Sequence, residues 1–373
     1  MPYESNRLVS LDVFRGLTVA GMVLVNNPGS WSHIYWPLEH AEWNGWTPTD
    51  LIFPFFLFIV GVAIPLAFGK RIERGDARRA LFLKVAYRSA IIFLLGEFLA
   101  GFPYFHLTTI RIPGVLQRIA VCYFFAGIVY LTTRPRTTAI VAVVLLIVYF
   151  ILMKHVPAPG YYAGDISKEG SLASYIDRRL FGPHIWKQGI VYDPEGILST
   201  MGALATTLFG VLTGYLIRSK EKTPIEKVAL MFIAGLACMI VGWGWNPWFP
   251  INKSLWTSPY VFFTGGLALQ FLALCYWLID IKGYKLWTKP FVIFGLNAIV
   301  LFVGTGVMAR LMGLIKVSQG DGATVSLQAY VYNHGYASWL SPVNASLAFA
   351  VSFILLWLFL MWLLFRKNII IKI

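Results

Sequence analysis

The segment 26–50 combines histidine, glutamate, asparagine and tryptophan side chains and contains no lysine or arginine. Its centre alternates titratable and amide groups with an aromatic ring, in the order Glu39, His40, Ala41, Glu42, Trp43, Asn44. A histidine beside carboxylates can act as a general base near neutral pH, and tryptophan with asparagine offers a sugar both stacking and hydrogen bonds. An interfacial aromatic belt explains Trp31, Trp36 and Trp46 but not the titratable centre. We therefore predict a catalytic and sugar-binding site here.

Ionisable residues also lie inside apolar stretches of the chain. Asp12 and Arg15 are three residues apart, so on a helix they share one face. They either pair with each other or serve a ligand. Lys84 and Arg88 are four residues apart, and they either extend towards lipid headgroups or bind an anion.

Three further groups are candidates for binding a ligand. Gln117 and Arg118 lie deep enough in an apolar stretch to favour a role facing a pore over extension to the headgroups. In the run 192–196, Pro194 can start a helix, which would make Asp193 its N-cap and place Glu195 in its first turn. Either capping accounts for both acids, or one carboxylate recognises a cationic or hydroxylated substrate.

The run 250–257 supplies the last candidates for substrate binding, and these are Asn252, Lys253 and Trp256. Lys253 is the only cation in this run. A charge isolated among aromatic residues is predicted to contact an anion or a carbonyl group. Nothing resembles paired His or Cys ligands at helical spacing, so no metal site is expected.

The composition requires a membrane around these residues. Of 373 residues 58% are hydrophobic and only 13% are charged, and the mean hydropathy is +0.67. A soluble domain carries about 25% charged residues, and a helix needs about 20 residues to cross the hydrocarbon core. Stretches that meet or approach this length occur at 8–25, 50–69, 81–101, 114–133, 138–155, 197–217, 225–244, 257–280, 288–312 and 343–365. We predict an all-α, polytopic helix bundle with about ten spans in one domain, 1–373.

The distribution of lysine and arginine predicts the orientation of the chain. Basic residues concentrate in alternate connections, for example 70–79, 134–136, 218–227 and 282–289, and Arg7 and Lys372 extend the pattern to the termini. The long connections 26–49, 156–196 and 313–342 are poorer in cations. By the positive-inside rule both termini are cytoplasmic and His40 is on the other side. The net charge of +14 therefore indicates topology and not a nucleic-acid partner.

Six blocks of sequence resemble, in order, the heparan-α-glucosaminide N-acetyltransferase family. They are LDVFRGLTVAGMVLVNNPG, HAEWNGWTPTDLIFPFFLFIVGVAIPLAF, RIPGVLQRIAVCYF, YDPEGILSTMGALATTLFGVLTG, PINKSLWTSPYV and PFVIFGLNAIVLFVG. The resemblance runs over nearly the whole chain, and HAEWNGWTPTDLIFP with YDPEGILST is its most specific part. It suggests a minimal bacterial form, without the extra luminal domain of the lysosomal enzyme, in the inner (cytoplasmic) membrane.

The resemblance implies transfer of acetyl from cytoplasmic acetyl-CoA to the amine of a glucosamine-type sugar on the other side. The family's active histidine matches His40, and its neighbouring functional asparagine matches Asn26. His40 is then a general base bonded to Glu39, Glu42 or Asp50, or it is a nucleophile that carries the acetyl group. Asn26 or a backbone N–H stabilises the oxyanion. Candidates for the CoA phosphates are Arg15, Lys84 and Arg88, with Gln117 and Arg118 as further cofactor-binding residues.

Two other functions fit the same sequence features. A secondary transporter of amino sugars would also use ionisable residues within spans and aromatic groups for a sugar. An O-acetyltransferase acting on envelope polysaccharide would also use histidine and acetyl-CoA. A homodimer is expected from the family resemblance alone.

Overall fold

A computed structural model describes residues 8–189, 191–318 and 323–371. Arg7 and Lys372, which belong to the predicted charge pattern, lie outside these residues. Within them, the α-helices are α1 (Val9–Asn26), α2 (Ile52–Glu73), α3 (Arg78–Gly101), α4 (Val115–Thr132), α5 (Pro135–His155), α6 (Leu172–Phe181), α7 (Thr200–Arg218), α8 (Pro224–Trp245), α9 (Ser258–Cys275), α10 (Lys289–Leu296), α11 (Ala298–Leu314), α12 (Leu327–Tyr332) and α13 (Pro342–Arg366). Two short strands, β1 (Lys316–Ser318) and β2 (Thr324–Ser326), pair in antiparallel fashion.

Every apolar stretch predicted to span the membrane is helical. In the described part of the chain, eight helical segments are long and apolar enough to cross a membrane, and α10 with α11, which meet at 81°, make a ninth if they count as one span. The tenth stretch is α3, whose Lys84, Arg88 and Glu97 keep it out of this count. The prediction of an all-α, polytopic membrane protein is confirmed. The orientation of the termini stays a prediction.

The described residues form two compact units. The first unit comprises the chain up to Ala41, the segment Thr47–Phe53 and the chain from Leu278 onward. The second unit comprises Glu42–Trp46 and Pro54–Trp277. The chain therefore passes from the first unit to the second directly after His40 and Ala41, within the segment predicted to hold the active site.

Close helix packing fixes α1 in the first unit. α1 packs along α10 and also contacts α11, α13 and the turn Pro48–Leu51. Small residues permit this approach, as they do between membrane helices in general. A Cβ on Gly16 would collide with the backbone of Phe291, and one on Gly295 with the backbone of Asp12. α1, which leads into the segment 26–41, is thereby held by three other helices.

The second unit is built on the same kind of contact. α4 packs against α3 and α7, α5 against α7, and α8 against α9. Gly61 lies against the backbone of Thr207, and Gly210 against that of Phe58, so a Cβ at either glycine would require these helices to move apart. The long connection 156–196 contains α6, which Ser171 caps by accepting the N–H of Ser174 at 3.2 Å. These helices carry the loops that contact Trp43 and Asn44.

Candidate active site

A short 3-10 turn, Pro48–Leu51, supports the candidate site in the first unit. Pro48 stands at its first position, where a fixed φ and a missing N–H do not weaken a helix. Asp50 accepts the N–H of Thr47 at 3.0 Å, as the third residue of a capping box does. The Asp50 side chain is only 1% exposed, so the turn holds a carboxylate in the interior immediately before α2.

The buried carboxylate of Asp50 binds His40. His40 Nδ1 lies 2.7 Å from Asp50 Oδ1, and Asp50 Oδ2 accepts the N–H groups of Ala41 and Thr47 at 3.0 Å each. A carboxylate accepts hydrogen bonds and donates none, so these contacts assign the ring proton to Nδ1 and the basic lone pair to Nε2. The His40 side chain is 51% exposed. This is the arrangement in which an acid orients a histidine for proton transfer.

The structure selects among the acids that the sequence offered to His40. Glu39 and Glu42 are both exposed, and Asp50 makes the hydrogen bond. Asn26 is the last residue of α1 and its side chain is exposed. Within the described residues, no hydrogen bond joins Asn26 to His40, and the predicted role of Asn26 in stabilising an oxyanion stays a prediction.

The residues that follow His40 pack within the second unit. Trp43 Nε1 donates to Ile166 O at 2.9 Å, and its ring meets Tyr192 edge to face at 5.0 Å. Lys168 Nζ lies 5.7 Å from the centre of the Trp43 ring. Asn44 Oδ1 accepts a hydrogen bond from Asn252 Nδ2 at 3.1 Å. Half-buried aromatic faces beside amide groups are the surface that a sugar ring requires, so these contacts are consistent with the predicted substrate-binding roles of Trp43 and Asn44. Asn252 is 0% exposed and its Oδ1 accepts the N–H of Leu255, so its predicted role stays a prediction.

Asp193 and Glu195 form an ion-pair cluster with Arg111. Arg111 donates from Nε and Nη2 to the two oxygens of Asp193 at 3.0 and 2.5 Å, and it also binds Glu195. Burial raises the pKa of Asp193, although Arg111 opposes that shift. Burial lowers the pKa of Arg111, but Glu195 and Asp193 more than offset this, so its pKa is raised. Both carboxylates therefore have a cationic partner, Arg111, within the chain.

The capping interpretation of these acids was wrong. α7 begins at Thr200, well after Asp193 and Glu195. Asp193 instead accepts the N–H groups of Trp186 and Glu195 at 2.9 Å. Tyr192 packs edge to face on Trp186 at 5.6 Å, and burial raises the Tyr192 pKa. The acids thus order the loop that presents Tyr192 to Trp43.

Gln117, Arg118 and Trp256 lie in the interior of the second unit. Arg118 is 2% exposed and donates from Nη2 to Gly196 O at 2.9 Å and to Ser199 Oγ at 2.5 Å. Gln117 donates to Glu97 at 3.1 Å. Trp256 is 1% exposed and lies 5.2 Å from the Arg118 guanidinium. These contacts place all three side chains against other groups of the second unit, and their predicted ligand-binding roles stay predictions.

The remaining cations predicted to bind the cofactor differ in environment. Arg15 pairs with Asp12 at 3.2 Å, as the first alternative predicted, and donates to Gly295 O at 3.3 Å. Arg88 is partly exposed and lies 5.9 Å from the Tyr123 ring, and Lys84 is exposed. Lys253 is partly exposed. A cofactor-binding role for Arg15, Lys84 and Arg88 stays a prediction.

Some residues of the site were not found from the sequence. They are Thr47 and Thr49 beside Asp50, Arg111 and Trp186 beside Asp193, and Asp177 near Gly196. The spacing Thr47-x-x-Asp50 is a capping signal that was available. The opposite charges of the runs 111–118 and 192–196 can also be seen in the sequence, but the sequence does not show which cation pairs with which acid.

Comparison with known proteins identifies relatives of this chain. The family model described as "Heparan-alpha-glucosaminide N-acetyltransferase, catalytic" matches residues 7–170. The chain is 31% identical over 362 residues to the mouse (Mus musculus) heparan-alpha-glucosaminide N-acetyltransferase, covering 82% of this chain and 54% of that protein. It is 32% identical over 356 residues to the human (Homo sapiens) protein of the same name, covering 80% of this chain and 52% of that protein. The predicted family resemblance is confirmed, and the chain spans about half the length of these relatives.

Proposed function

From this similarity to heparan-α-glucosaminide N-acetyltransferases, we propose that the chain moves the acetyl group of acetyl-CoA to the amine of a glucosamine-type sugar. The observation that carries the proposal is the hydrogen bond from His40 Nδ1 to the buried carboxylate of Asp50. It makes Nε2 of a half-exposed imidazole the base, and acyl transfer to an amine requires a base at the reacting nitrogen.

The proposed reaction removes two protons from the amine. The amine is largely protonated near neutral pH, so one proton leaves to solvent before attack. As the amine nitrogen bonds to the thioester carbonyl carbon, Nε2 of His40 takes a second proton from that nitrogen. The C–S bond then breaks, and His40 passes this proton to the CoA sulfur. Asp50 stabilises the imidazolium formed in between, and Asn26 or a backbone N–H stabilises the oxyanion, a contribution of about 3 kcal/mol.

The other residues divide between the two substrates. Trp43, Asn44 and Asn252, with Glu39, Glu42, Lys253 and Trp256, are the proposed acceptor residues. Arg15, Lys84 and Arg88 are the proposed partners of the CoA phosphates, since they are cations in or beside the predicted cytoplasmic ends of spans. Asp193 and Glu195 support the site, because Arg111 binds both carboxylates within the chain. Gln117 and Arg118 are further proposed cofactor-binding residues.

Topology is part of this proposal. Both termini and the CoA site lie on the cytoplasmic side of a bacterial inner membrane, and His40 lies on the periplasmic side. A homodimer is proposed from the family alone. Proteoliposomes test the sidedness: acetyl-CoA added to one face and glucosamine trapped on the other should give N-acetylglucosamine. Product that forms only when both substrates share a face contradicts it.

The decisive experiment supplies purified protein with acetyl-CoA and glucosamine and measures free CoA. We expect CoA release that requires the amine and is lost in His40→Ala. His33→Ala is the matched control, because His33 is an exposed histidine on the same segment and should retain activity. Uptake of labelled glucosamine into vesicles without acetyl-CoA would favour the transporter, and release driven only by hydroxyl acceptors would favour the O-acetyltransferase.

Direct transfer is preferred over an acetyl-histidine, because it needs no carrier of acetyl between the two faces. Rapid quenching with acetyl-CoA alone, followed by peptide mass spectrometry, distinguishes the two routes. Unmodified His40 is expected. Acetyl on His40 that is lost on addition of glucosamine would establish the two-step route instead.

A further inference from the structure

We propose that Thr47 and Thr49 are positioning residues for His40, a role that rests on the proposed acetyl transfer. Their hydroxyl groups bind the backbone of the segment that carries the histidine. Both side chains belong to or border the turn Pro48–Leu51, and both residues are buried, at 4% and 3% exposed. They act on the backbone of the segment that carries His40, whereas Asp50 bonds both the His40 ring and the N–H of Ala41.

The turn fixes His40 through the peptide groups on each side of it. Thr47 Oγ1 donates to Glu39 O at 2.5 Å, and that carbonyl belongs to the peptide group joining Glu39 to His40. Ala41 N donates to Asp50 Oδ2 at 3.0 Å, and that N–H belongs to the peptide group joining His40 to Ala41. Both peptide planes are thus tied to one turn, and the position of the His40 Cα follows from them.

The Thr47 hydroxyl donates its hydrogen bond to the backbone carbonyl of Glu39. Thr47 Oγ1 also lies 3.2 Å from Asp50 Oδ2, but a hydroxyl has one proton and Glu39 O is much closer. Asp50 Oδ2 already receives two backbone N–H groups. The hydroxyl therefore serves the His40 backbone, and its burial means that its loss leaves Glu39 O with a missing partner.

Thr49 makes the same kind of contact one step further away. Its Oγ1 donates to Pro37 O at 3.1 Å, within the short helix Trp36–Leu38. Pro37 precedes His40 by three residues, so an error at this point is partly absorbed by the bonds in between. We expect the effect of losing Thr49 to be smaller than that of losing Thr47.

The consequence concerns the chemical step and not substrate affinity. Proton transfer requires Nε2 within hydrogen-bond reach of the reacting nitrogen, and a small misplacement of a catalytic group lowers the rate steeply. Thr47→Val is expected to lower kcat about tenfold with KM for both substrates changed less than twofold. Thr49→Val is expected to lower kcat about threefold.

Conservative and matched variants make this test specific. Thr47→Ser keeps the hydroxyl and should restore kcat to within twofold of the wild type. Thr305→Val is the control, because Thr305 is also buried in the first unit and donates within its own helix to Leu301 O at 2.8 Å. Its kcat should equal that of the wild type. A Thr47→Val enzyme with unchanged kcat, or Ser and Val variants that are equally impaired, would overturn the proposal.

A second readout separates this proposal from the proposed function. Diethyl pyrocarbonate modifies the imidazole, and peptide mass spectrometry reports the rate at His40 without any substrate. Thr47→Val is expected to change this rate at least threefold while the rate at His33 stays constant. If the wild type does not transfer acetyl groups, the function fails but the altered modification rate still reports positioning. If the His40 rate is unchanged in Thr47→Val, the positioning role fails whatever the activity.

Discussion

Two buried carboxylates, Asp50 in the first unit and Asp193 in the second, are stabilised in different ways. Asp50 receives two backbone N–H groups and the imidazole of His40, whose side chain is 51% exposed. Asp193 also receives two backbone N–H groups, but its third partner is the guanidinium of Arg111, which also neutralises Glu195. Asp50 orients an imidazole that is half exposed, whereas Asp193 is neutralised by Arg111 within the chain.

We propose that this difference separates residues that take part in catalysis from residues that maintain the structure. A carboxylate that is hydrogen-bonded to an imidazole stabilises the imidazolium that forms when the ring takes up a proton. A carboxylate whose charge is already neutralised by an arginine attracts a cationic substrate only weakly. The Asp193 cluster orders the loop of Tyr192, which contacts Trp43. We therefore expect changes at Asp50 to affect the rate and changes at Arg111 to affect stability.

The largest effect is expected for Asp50→Asn. An asparagine amide that faces His40 donates to Nδ1, which moves the ring proton to Nε2 and removes the base. We expect kcat to fall about 10³–10⁴-fold, with thermal unfolding within a few degrees of the wild type, since the asparagine oxygen still accepts N–H groups. The measurement is CoA release at saturating substrates. A kcat of Asp50→Asn within threefold of the wild type would contradict the catalytic role given to Asp50 in this comparison.

Arg111→Ala tests the second half. It leaves two buried acids without their cation, and breaking a buried ion pair destabilises a protein by about 3–5 kcal/mol. We expect a lower yield and a lower unfolding temperature in detergent. Because this variant can fail to fold, Arg111→Gln combined with Asp193→Asn and Glu195→Gln is made alongside it.

The triple variant keeps the network neutral and hydrogen-bonded, so it should recover much of the lost stability. Arg111→Lys should fall between the wild type and Arg111→Ala, because lysine cannot bind two carboxylates in a fork. An Arg111→Ala protein of normal stability that has lost activity would place Arg111 among the catalytic residues and overturn the contrast with Asp50.

How far the sequence predicts this molecule depends on the range of the interaction. The helices were predictable because hydrophobic length acts locally, and each of the ten stretches is helical. His40 could be chosen as a candidate from the sequence because its unusual neighbours are adjacent to it, and its role stays a prediction. Its acid partner was narrowed to Glu39, Glu42 or Asp50, and selecting Asp50 required the turn Pro48–Leu51 to fold back on residue 40.

Long-range pairings were beyond the sequence. Arg111 and Asp193 are 82 residues apart, and the local pattern around Pro194 suggested a helix cap in their place. The same pattern is compatible with a cap because proline and acidic residues favour helix starts. Here the loop ends in turns and α7 starts later, and Asp193 binds the Arg111 guanidinium together with the N–H groups of Trp186 and Glu195.

The pH dependence of stability sharpens the comparison at a third carboxylate, Asp177 of α6. Burial raises its pKa to about 7, and Asp193 adds to this, while the N–H of Ile197, Arg118 and Arg178 oppose it. The folded state therefore holds a proton that the unfolded chain releases at lower pH. Stability from this group is lost as the pH rises from about 4 to about 7.

Asp177→Asn removes the ionisation and keeps an acceptor for Ile197 N, which lies 2.9 Å from Oδ1. We expect its unfolding temperature to exceed that of the wild type by a few degrees at pH 8 and by less at pH 5. Asp177→Ala loses the acceptor and should be destabilised at both pH values. If Asp177→Asn shows the same difference at pH 5 and pH 8, the group does not titrate in the folded protein.

The smallest effect is expected at Trp43, where the two kinds of residue meet in the chain. Trp43→Phe keeps an aromatic face for a sugar but removes the donor to Ile166 O. If Trp43 belongs to the acceptor site, KM for glucosamine should rise about threefold with kcat unchanged, since one neutral hydrogen bond contributes about 1 kcal/mol. Trp248→Phe, at an exposed tryptophan of the same unit, should leave both constants unchanged. A fall in kcat at constant KM would instead show that Trp43 acts on the alignment of His40. The residues that affect the chemical step would then include one from the second unit, after Ala41.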